Sequence, residues 1–322
     1  MDKNYKEITG YFTSSNQRDE VYYRICITNE MPKGIIQIAH GMCEYFNRYE
    51  GLVEYFTQRG FIVCGNDHIG HANSVKSRED LGYFGKEGYN TLTEDLKLLN
   101  DIVRKKYRSL PYILLGHSMG SFVVRDYITK HPDTVDGCII CGTSGTNKAL
   151  SSGIMLCSVL SRIKGEKHRS KFMRNIAFSG YNSHFKSEKD EVSWLTRERD
   201  VRCEYTKDPD CGFTFTLNGY KSLFMLLKKV SEPEWEQRVP KSLPILLIAG
   251  EDDPVGDYGK GVLEVYDRLN QQEINMLRIK LYPGARHELF NERNREEVFS
   301  DVEEFAKDVI EGVLEARGYV RF

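Results

Sequence analysis

The chain has 322 residues, of which 40% are hydrophobic and 29% are charged, and its formal net charge is −2. This composition is typical of a globular protein, and the scattered Lys and Arg residues predict no nucleic-acid partner, because such a partner needs a concentrated basic surface. The polar first residues include no apolar stretch of signal-peptide or membrane-spanning length, so we expect neither a leader nor a transmembrane helix.

The cysteine pattern bears on the cellular compartment and on metal binding. Most of the eight cysteines lie inside apolar runs, which is typical of reduced thiols that fill a core. Cys138 and Cys141 have the spacing of a metal-binding pair, but they fall in a strand-like run, where residues three apart point to opposite faces. We therefore expect a cytoplasmic protein with no metal and no cofactor.

Apolar runs of strand length alternate with helical patterns along the first part of the chain. Predicted strands cover 8–15, 21–28, 34–39, 61–66, 112–115 and 135–141, and predicted helices cover 89–106 and 121–131. After a long interruption, strands follow at 245–249 and 277–282 with a helix at 262–271. Continuous apolar strands indicate a sheet that is buried on both faces, so the pattern predicts an α/β fold with a mostly parallel sheet and helices on both sides.

The interruption predicts a cap inserted into the core. Residues 1–144 and 239–322 form the predicted α/β core, and residues 145–238 form the cap or lid subdomain. Within the cap, a predicted helix over 152–163 carries an apolar side and is followed by a basic loop over 164–174. The apolar side comprises Ile154, Leu156, Val159, Leu160 and Ile163.

Two interpretations of this helix and loop remain open. The simpler one, which we favour, is a helix packed on its own core with a solvated basic loop. The other is a lid that makes weak peripheral membrane contact, with its apolar side on lipid and its cations on anionic head groups.

The segment Gly116-His117-Ser118-Met119-Gly120 fits the G-x-S-x-G pattern of a nucleophile elbow. An apolar strand run leads into it and a helical pattern leads out, which is the strand–turn–helix context that the elbow requires. Such a tight turn leaves no room for side chains at Gly116 and Gly120. The pattern predicts Ser118 as a catalytic nucleophile.

A serine nucleophile needs a base and an acid, which in this fold follow it in the order acid, then histidine. His287 lies in a Pro-Gly loop after the last predicted strand and is the predicted base. Three carboxylates follow the strand at 245–249, at positions 251 to 253. Pro254 restricts the preceding residue to an extended conformation, so we predict Asp253 as the acid, with Asp252 as the alternative.

An oxyanion hole needs two backbone N–H groups that point at the developing negative charge. One should come from Met119, directly after the nucleophile. The other should come from Met42, in the loop that follows the strand at 34–39.

Together these motifs resemble the monoacylglycerol lipase and lysophospholipase branch of the α/β-hydrolases, which is of the serine aminopeptidase type. The matching segments are His40-Gly41-Met42-Cys43-Glu44-Tyr45 with Arg48-Tyr49, the serine motif, Asp253-Pro254-Val255-Gly256 and Arg286-His287-Glu288. The resemblance implies an eight-stranded sheet, a lid over the serine, and substrate head-group contacts near Glu44 and Arg48. The chain departs from the family pattern at Ile69, where an arginine is common, at Ala72, where a glycine is common, and at Tyr45, where a histidine is common.

The predicted function is a serine carboxylester hydrolase that cleaves small-molecule acyl esters of the monoacylglycerol or lysophospholipid type through an acyl-enzyme. A short-chain or aryl (feruloyl-type) esterase is the main alternative. An aminopeptidase would need clustered carboxylates for the substrate ammonium. Glu188, Asp190 and Glu191 are available, but Lys186 and Lys189 among them favour a solvated loop. A non-catalytic receptor would be expected to have lost part of the triad. The sequence does not indicate an oligomeric state.

Overall fold

In the computed structural model, which describes residues 4–318, eight strands form one sheet in the order β1-β2-β4-β3-β5-β6-β7-β8. Strands β1 and β2 are antiparallel to their neighbours, whereas β3 to β8 run parallel. This confirms the predicted α/β class and the eight strands. The strands are β1 (Tyr5–Thr13), β2 (Glu20–Thr28), β3 (Gly34–Ala39), β4 (Phe61–Asn66), β5 (Tyr112–His117), β6 (Gly137–Cys141), β7 (Ile245–Gly250) and β8 (Leu277–Tyr282).

Alternate residues of the central strands contribute to two hydrophobic cores, one on each face of the sheet. On β5, Leu114 belongs to one core and Leu115 to the other, and on β6 the same is true of Cys138 and Cys141. The two cysteines therefore point to opposite faces, as expected from their spacing on a strand. Burial on both faces explains why β3 to β7 have almost uninterrupted apolar sequences.

Helices cover both faces of the sheet. α2 and α3 pack on one face with α8, and α1 and α9 pack on the other. The helices of the described chain are α1 (Glu50–Thr57), α2 (Gly88–Lys106), α3 (Met119–Lys130), α4 (Leu150–Lys164), α5 (Lys171–Ala177), α6 (Arg199–Lys207), α7 (Leu217–Ser231), α8 (Lys260–Asn270) and α9 (Arg295–Ala316).

The chain between β6 and β7 contains α4 to α7, and here the structure corrects two predictions. α4 has the predicted position, but its apolar side is divided: Leu156 and Leu160 pack on the core, whereas an exposed stripe consists of Met155, Val159 and Ile163. The second correction concerns the rest of the insertion, where the sequence predicted a basic loop and no further helix. Helices α5 to α7 form there because each has a face that packs inward, despite many charged residues.

The basic loop is also not freely solvated. Arg169 donates hydrogen bonds to the backbone carbonyls of Thr214 and Arg78, and Lys167 pairs with Asp80 at 2.7 Å. The loop is therefore anchored to residues 78–80 of the core. No helix within residues 4–318 is long and apolar enough to span a membrane.

Candidate active site

Ser118 lies at the carboxyl end of β5, in the sharp turn that leads into α3. Its backbone has φ 54° and ψ −121°, a strained conformation for a residue with a side chain. A Cβ atom at Gly116 would lie 2.3 Å from the carbonyl oxygen of Gly120, and one at Gly120 would lie 2.0 Å from that of Ala39. Both glycines are therefore required by close backbone packing, as the elbow pattern predicts.

His287 and Asp253 lie beyond β8 and β7 and form a buried pair. The Nδ1 atom of His287 lies 2.9 Å from Oδ2 of Asp253, and the other carboxylate oxygen of Asp253 accepts the N–H of Val255 at 2.9 Å. Asp253 is fully buried, whereas Glu251 and Asp252 are exposed. Nε2 of His287 is buried and has no hydrogen-bond partner among the described residues. The imidazole is thus oriented by Asp253 and has one nitrogen available.

Ser118 and His287 line the same pocket, which has a volume of about 240 Å³. Met42 and Met119 also line it, and within residues 4–318 neither of their backbone N–H groups has an acceptor. The deeper walls come from α3, α4 and α7 and are apolar: Phe122, Leu150, Leu223, Phe224 and Leu227. The structure therefore brings together every residue that the sequence predicts for the triad and the oxyanion hole, except that Asp253 lies behind the histidine.

Glu44 is the centre of a buried hydrogen-bond network behind the serine. It accepts the N–H of Gly41 at 2.5 Å, the hydroxyl of Tyr49 at 2.7 Å, and lies 3.2 Å from Nδ1 of His117. Burial opposes ionisation of Glu44, but the hydrogen bond to His117 and the charge of Arg48 hold its pKa well below the usual value. Burial likewise opposes protonation of His117, but Glu44 outweighs it and raises the His117 pKa. The loop before α1 is thereby joined to the serine turn.

Arg48 extends this network to the histidine loop. Its guanidinium pairs with Glu44 at 2.7 Å and makes two hydrogen bonds to Glu288, at 2.6 and 2.7 Å. Arg48 does not line the pocket, whereas Glu44 and Glu288 do. The predicted head-group contact of Glu44 and Arg48 stays a prediction, and the contacts that the structure does contain are with each other and with Glu288.

Segment 188–197, which precedes α6, contacts the histidine loop directly. The N–H of Glu288 donates to the carbonyl of Leu195 at 2.7 Å, and that of His287 donates to the carbonyl of Trp194 at 3.4 Å. The rings of Trp194 and His287 have centroids 5.1 Å apart. The insertion therefore supports the backbone and the ring of the histidine.

Charged side chains reinforce this contact. Arg286 donates to the carbonyl of Ser193 at 2.6 Å and pairs with Glu188, which also pairs with Arg202 at 2.7 Å. Arg202 pairs in addition with Asp190 at 2.8 Å. Sequence reasoning did not identify this cluster, although Arg286 directly precedes the predicted base and could have drawn attention.

The eight-stranded sheet with a strained serine turn between β5 and α3 is that of an α/β-hydrolase. Comparison with known families agrees with this fold assignment. Residues 30–294 match the model of the family described as serine aminopeptidase, S33. The chain belongs to this family.

Individual proteins are also similar to the chain, in sequence or in structure. The chain is 25% identical to a monoacylglycerol lipase of Mycolicibacterium smegmatis over 88% of its own length and 91% of that protein, and 26% identical to the human monoglyceride lipase over 81% and 77%. Its structure resembles that of a thermostable carboxyl esterase from Bacillus coagulans in complex with glycerol. The TM-score is 0.89 and the identity 32%, with 94% of this chain and 99% of the esterase covered. A soluble variant of the Saccharomyces cerevisiae monoglyceride lipase has a TM-score of 0.76 at 17% identity, over 94% and 95%, which supports the fold alone.

Proposed function

We propose that the protein is a serine carboxylester hydrolase with Ser118 as nucleophile, His287 as general base and Asp253 as the acid that orients the base. The observation that carries this proposal is the pocket itself. A strained, accessible serine and a histidine held by a buried aspartate share one cavity, and the unpaired Nε2 of that histidine is the atom that a base needs.

The chemistry follows from this arrangement. Nε2 of His287 takes the proton of Ser118 as Oγ attacks the ester carbonyl, and Asp253 stabilises the resulting imidazolium. The unpaired N–H groups of Met42 and Met119 bind the oxyanion of the tetrahedral intermediate. The imidazolium then protonates the leaving alcohol, and an acyl-enzyme on Ser118 remains. Water, activated by the same histidine, releases the acid.

The pocket favours acyl esters of glycerol or of a glycerol-based head group. The apolar walls from α3, α4 and α7 suit an acyl chain, because burying such a chain gains free energy in proportion to its apolar area. Proteins similar to this chain are named as monoacylglycerol lipases, and a similar esterase structure contains glycerol. We therefore propose a monoacylglycerol or lysophospholipid as substrate.

The charge pairing argues against an aminopeptidase, despite the family description. A substrate ammonium would need an available carboxylate, and the two carboxylates that line the pocket, Glu44 and Glu288, are both paired with Arg48. Glu188 and Asp190 are paired with Arg286 and Arg202. Within the described residues, no pocket carboxylate lacks a cation.

The insertion between β6 and β7 supports the proposed division into a core and a cap over 145–238. On this cap, the exposed stripe of α4 lies next to Arg162 and Lys164. Apolar side chains beside cations are suited to an anionic lipid surface, so we include weak membrane contact through α4 in the proposal.

Separate substitution of two neighbouring aspartates by asparagine tests the assignment of Asp253 as the catalytic acid. We expect Asp253→Asn to lower kcat for p-nitrophenyl butyrate by about 10³- to 10⁴-fold, because an amide stabilises neither the required tautomer nor the imidazolium. Asp252→Asn, an identical change at an exposed position, should stay within about twofold. Steady-state kinetics on both variants would contradict the assignment if the order were reversed or if both variants kept full activity.

A further inference from the structure

A second cavity lies beside the apolar pocket and has a volume of about 620 Å³. Small-molecule sites usually measure about 300–1,000 Å³. The two cavities share four aromatic residues, which form the boundary between them: Phe178, Tyr181, Trp194 and Tyr205.

The second cavity differs from the first in charge. Its outer wall carries Arg174, Lys186 and Glu191, together with the polar side chains of Asn175 and Ser183. Among the residues that the structure describes, no Lys or Arg lines the first cavity. The second cavity thus presents two cations and one anion, whereas the first combines apolar walls with two carboxylates, Glu44 and Glu288, that are both paired with Arg48.

Both cations are available to an anionic ligand. Among residues 4–318, Arg174 pairs with Glu191 alone, at 3.3 Å, and the Glu191 side chain is 86% exposed. Ion pairs this exposed contribute little, so a ligand anion can replace Glu191 at small cost. Lys186 has no carboxylate partner among residues 4–318.

The position of the histidine indicates which part of an ester enters this cavity. The base of an acyl transfer later protonates the leaving alcohol, so the alcohol oxygen must lie next to His287. Trp194 contacts the His287 ring and lines both cavities. An alcohol held on this side extends along Trp194 toward the second cavity, while the acyl chain occupies the apolar pocket.

We propose that the second cavity binds a phosphate-bearing head group of the leaving alcohol, with Arg174 and Lys186 as its phosphate contacts. The inference rests on the proposed ester hydrolysis and makes lysophospholipids the substrate class. Guanidinium groups bind phosphate through paired, charge-assisted hydrogen bonds, and an ammonium adds a further positive charge. An uncharged glycerol would gain much less, because its hydroxyls can accept hydrogen bonds but carry no negative charge.

Two substrates with the same acyl chain test this proposal: decanoyl lysophosphatidylglycerol and monodecanoylglycerol, each below its aggregation concentration. The variant is the double substitution Arg174→Glu with Lys186→Glu. We expect its kcat/KM for the lysophospholipid to fall at least about tenfold, mainly through KM, and that for monodecanoylglycerol to stay within about twofold. Glycerophosphoglycerol should inhibit p-nitrophenyl butyrate hydrolysis by the wild type and not by the variant.

The matched control is Lys207→Glu with Lys228→Glu. It makes the same change in net charge at two exposed residues that line neither cavity. Equal loss on both substrates, equal loss in the control, or no loss in the variant would overturn the proposal. Hydrolysis of p-nitrophenyl butyrate distinguishes failure of the ester-hydrolase proposal from failure of the head-group proposal. If the wild type does not hydrolyse this ester, the ester-hydrolase proposal fails. If both the wild type and the variant hydrolyse it, the two lipid substrates test the head-group proposal alone.

Discussion

Segment 188–197 and helix α4 belong to the same insertion and line the same pocket, but they are held in different ways. Segment 188–197 is fixed to the histidine loop by backbone hydrogen bonds and by the pairs of Arg286 and Arg202 with acidic residues. α4 packs through apolar side chains and leaves Met155, Val159 and Ile163 exposed. One part of the insertion is therefore fixed to the histidine loop, whereas the other leaves an apolar surface exposed.

The largest change in activity should come from weakening the attachment of segment 188–197 to the histidine loop. Glu188→Gln leaves Arg286 buried without a carboxylate next to His287. We expect kcat to fall about 10- to 100-fold on short and long esters alike, because a small displacement of the base costs that much in rate. KM should change little, and Glu188→Asp should restore part of kcat. Steady-state kinetics on both esters, with circular dichroism for folding, provide the measurement.

A control for this variant is Glu198→Gln. Glu198 pairs with Arg293, and the two side chains are 41% and 59% exposed. This pair also connects the insertion to the core, but its exposure makes it weak, so activity should stay within about twofold. If Glu188→Gln behaved like this control, segment 188–197 would not position the histidine.

A smaller and selective effect is expected on α4. Replacing Met155, Val159 and Ile163 together with Ser removes the exposed stripe without touching the pocket. Hydrolysis of long-chain monoacylglycerol in anionic vesicles should fall about tenfold, because the apolar surface that enters the lipid is lost. A soluble short ester should be hydrolysed at the wild-type rate.

Met31→Ser provides the matched control for α4. Met31 is 91% exposed and lies in the loop between β2 and β3, so its loss removes a similar apolar group elsewhere. Vesicle sedimentation at low and high salt should accompany the kinetics. An equal loss of activity of the α4 variant on the soluble ester would contradict a role of the exposed stripe in lipid contact.

The smallest expected effect is on the pH dependence of stability, and it arises where the insertion contacts the core at His71. Burial, followed by the neighbouring His68, lowers the pKa of His71 to about 3, and its ring packs on Phe213 and Phe215 of the insertion. The unfolded state, with a His pKa near about 6.5, then binds more protons. Stability from His71 is therefore complete above about pH 6.5 and is lost as the pH falls toward 3.

His71→Gln should remove this contribution. The slope of the unfolding free energy between pH 6 and 4.5 should decrease by up to about 1.4 kcal/mol per pH unit, as measured by urea unfolding. Subtracting wild type from variant at each pH cancels groups whose pKa does not depend on His71, such as Asp95, whose pKa burial raises to about 6. An unchanged slope would show that His71 is not neutral in the folded state.

The sequence predicted the sheet, and it named residues that the structure places at one pocket, because both depend on local patterns. Buried parallel strands are recognisable as apolar runs, and the serine turn, the Asp-Pro segment and the late histidine occur in the expected order. Ala72 is instructive: its φ of 35° explains why a glycine is common at this position.

What the sequence did not predict depends on contacts between distant residues. Arg286 and Glu188 are 98 positions apart, and nothing local marks them as partners. The same acidic residues that could have bound a substrate ammonium are instead paired with arginines. Helices α5 to α7 were missed because charged residues interrupt their apolar faces, and only tertiary packing shows which side is buried.

Covalent labelling of the serine tests the assignment of Ser118 as the catalytic nucleophile. We expect a fluorophosphonate to form one adduct per chain and peptide mass spectrometry to locate this adduct on Ser118. Folded Ser118→Ala should form none, because activation by His287 makes this hydroxyl far more reactive than any other. An adduct on another residue, or equal labelling of Ser118→Ala, would contradict the assignment of Ser118.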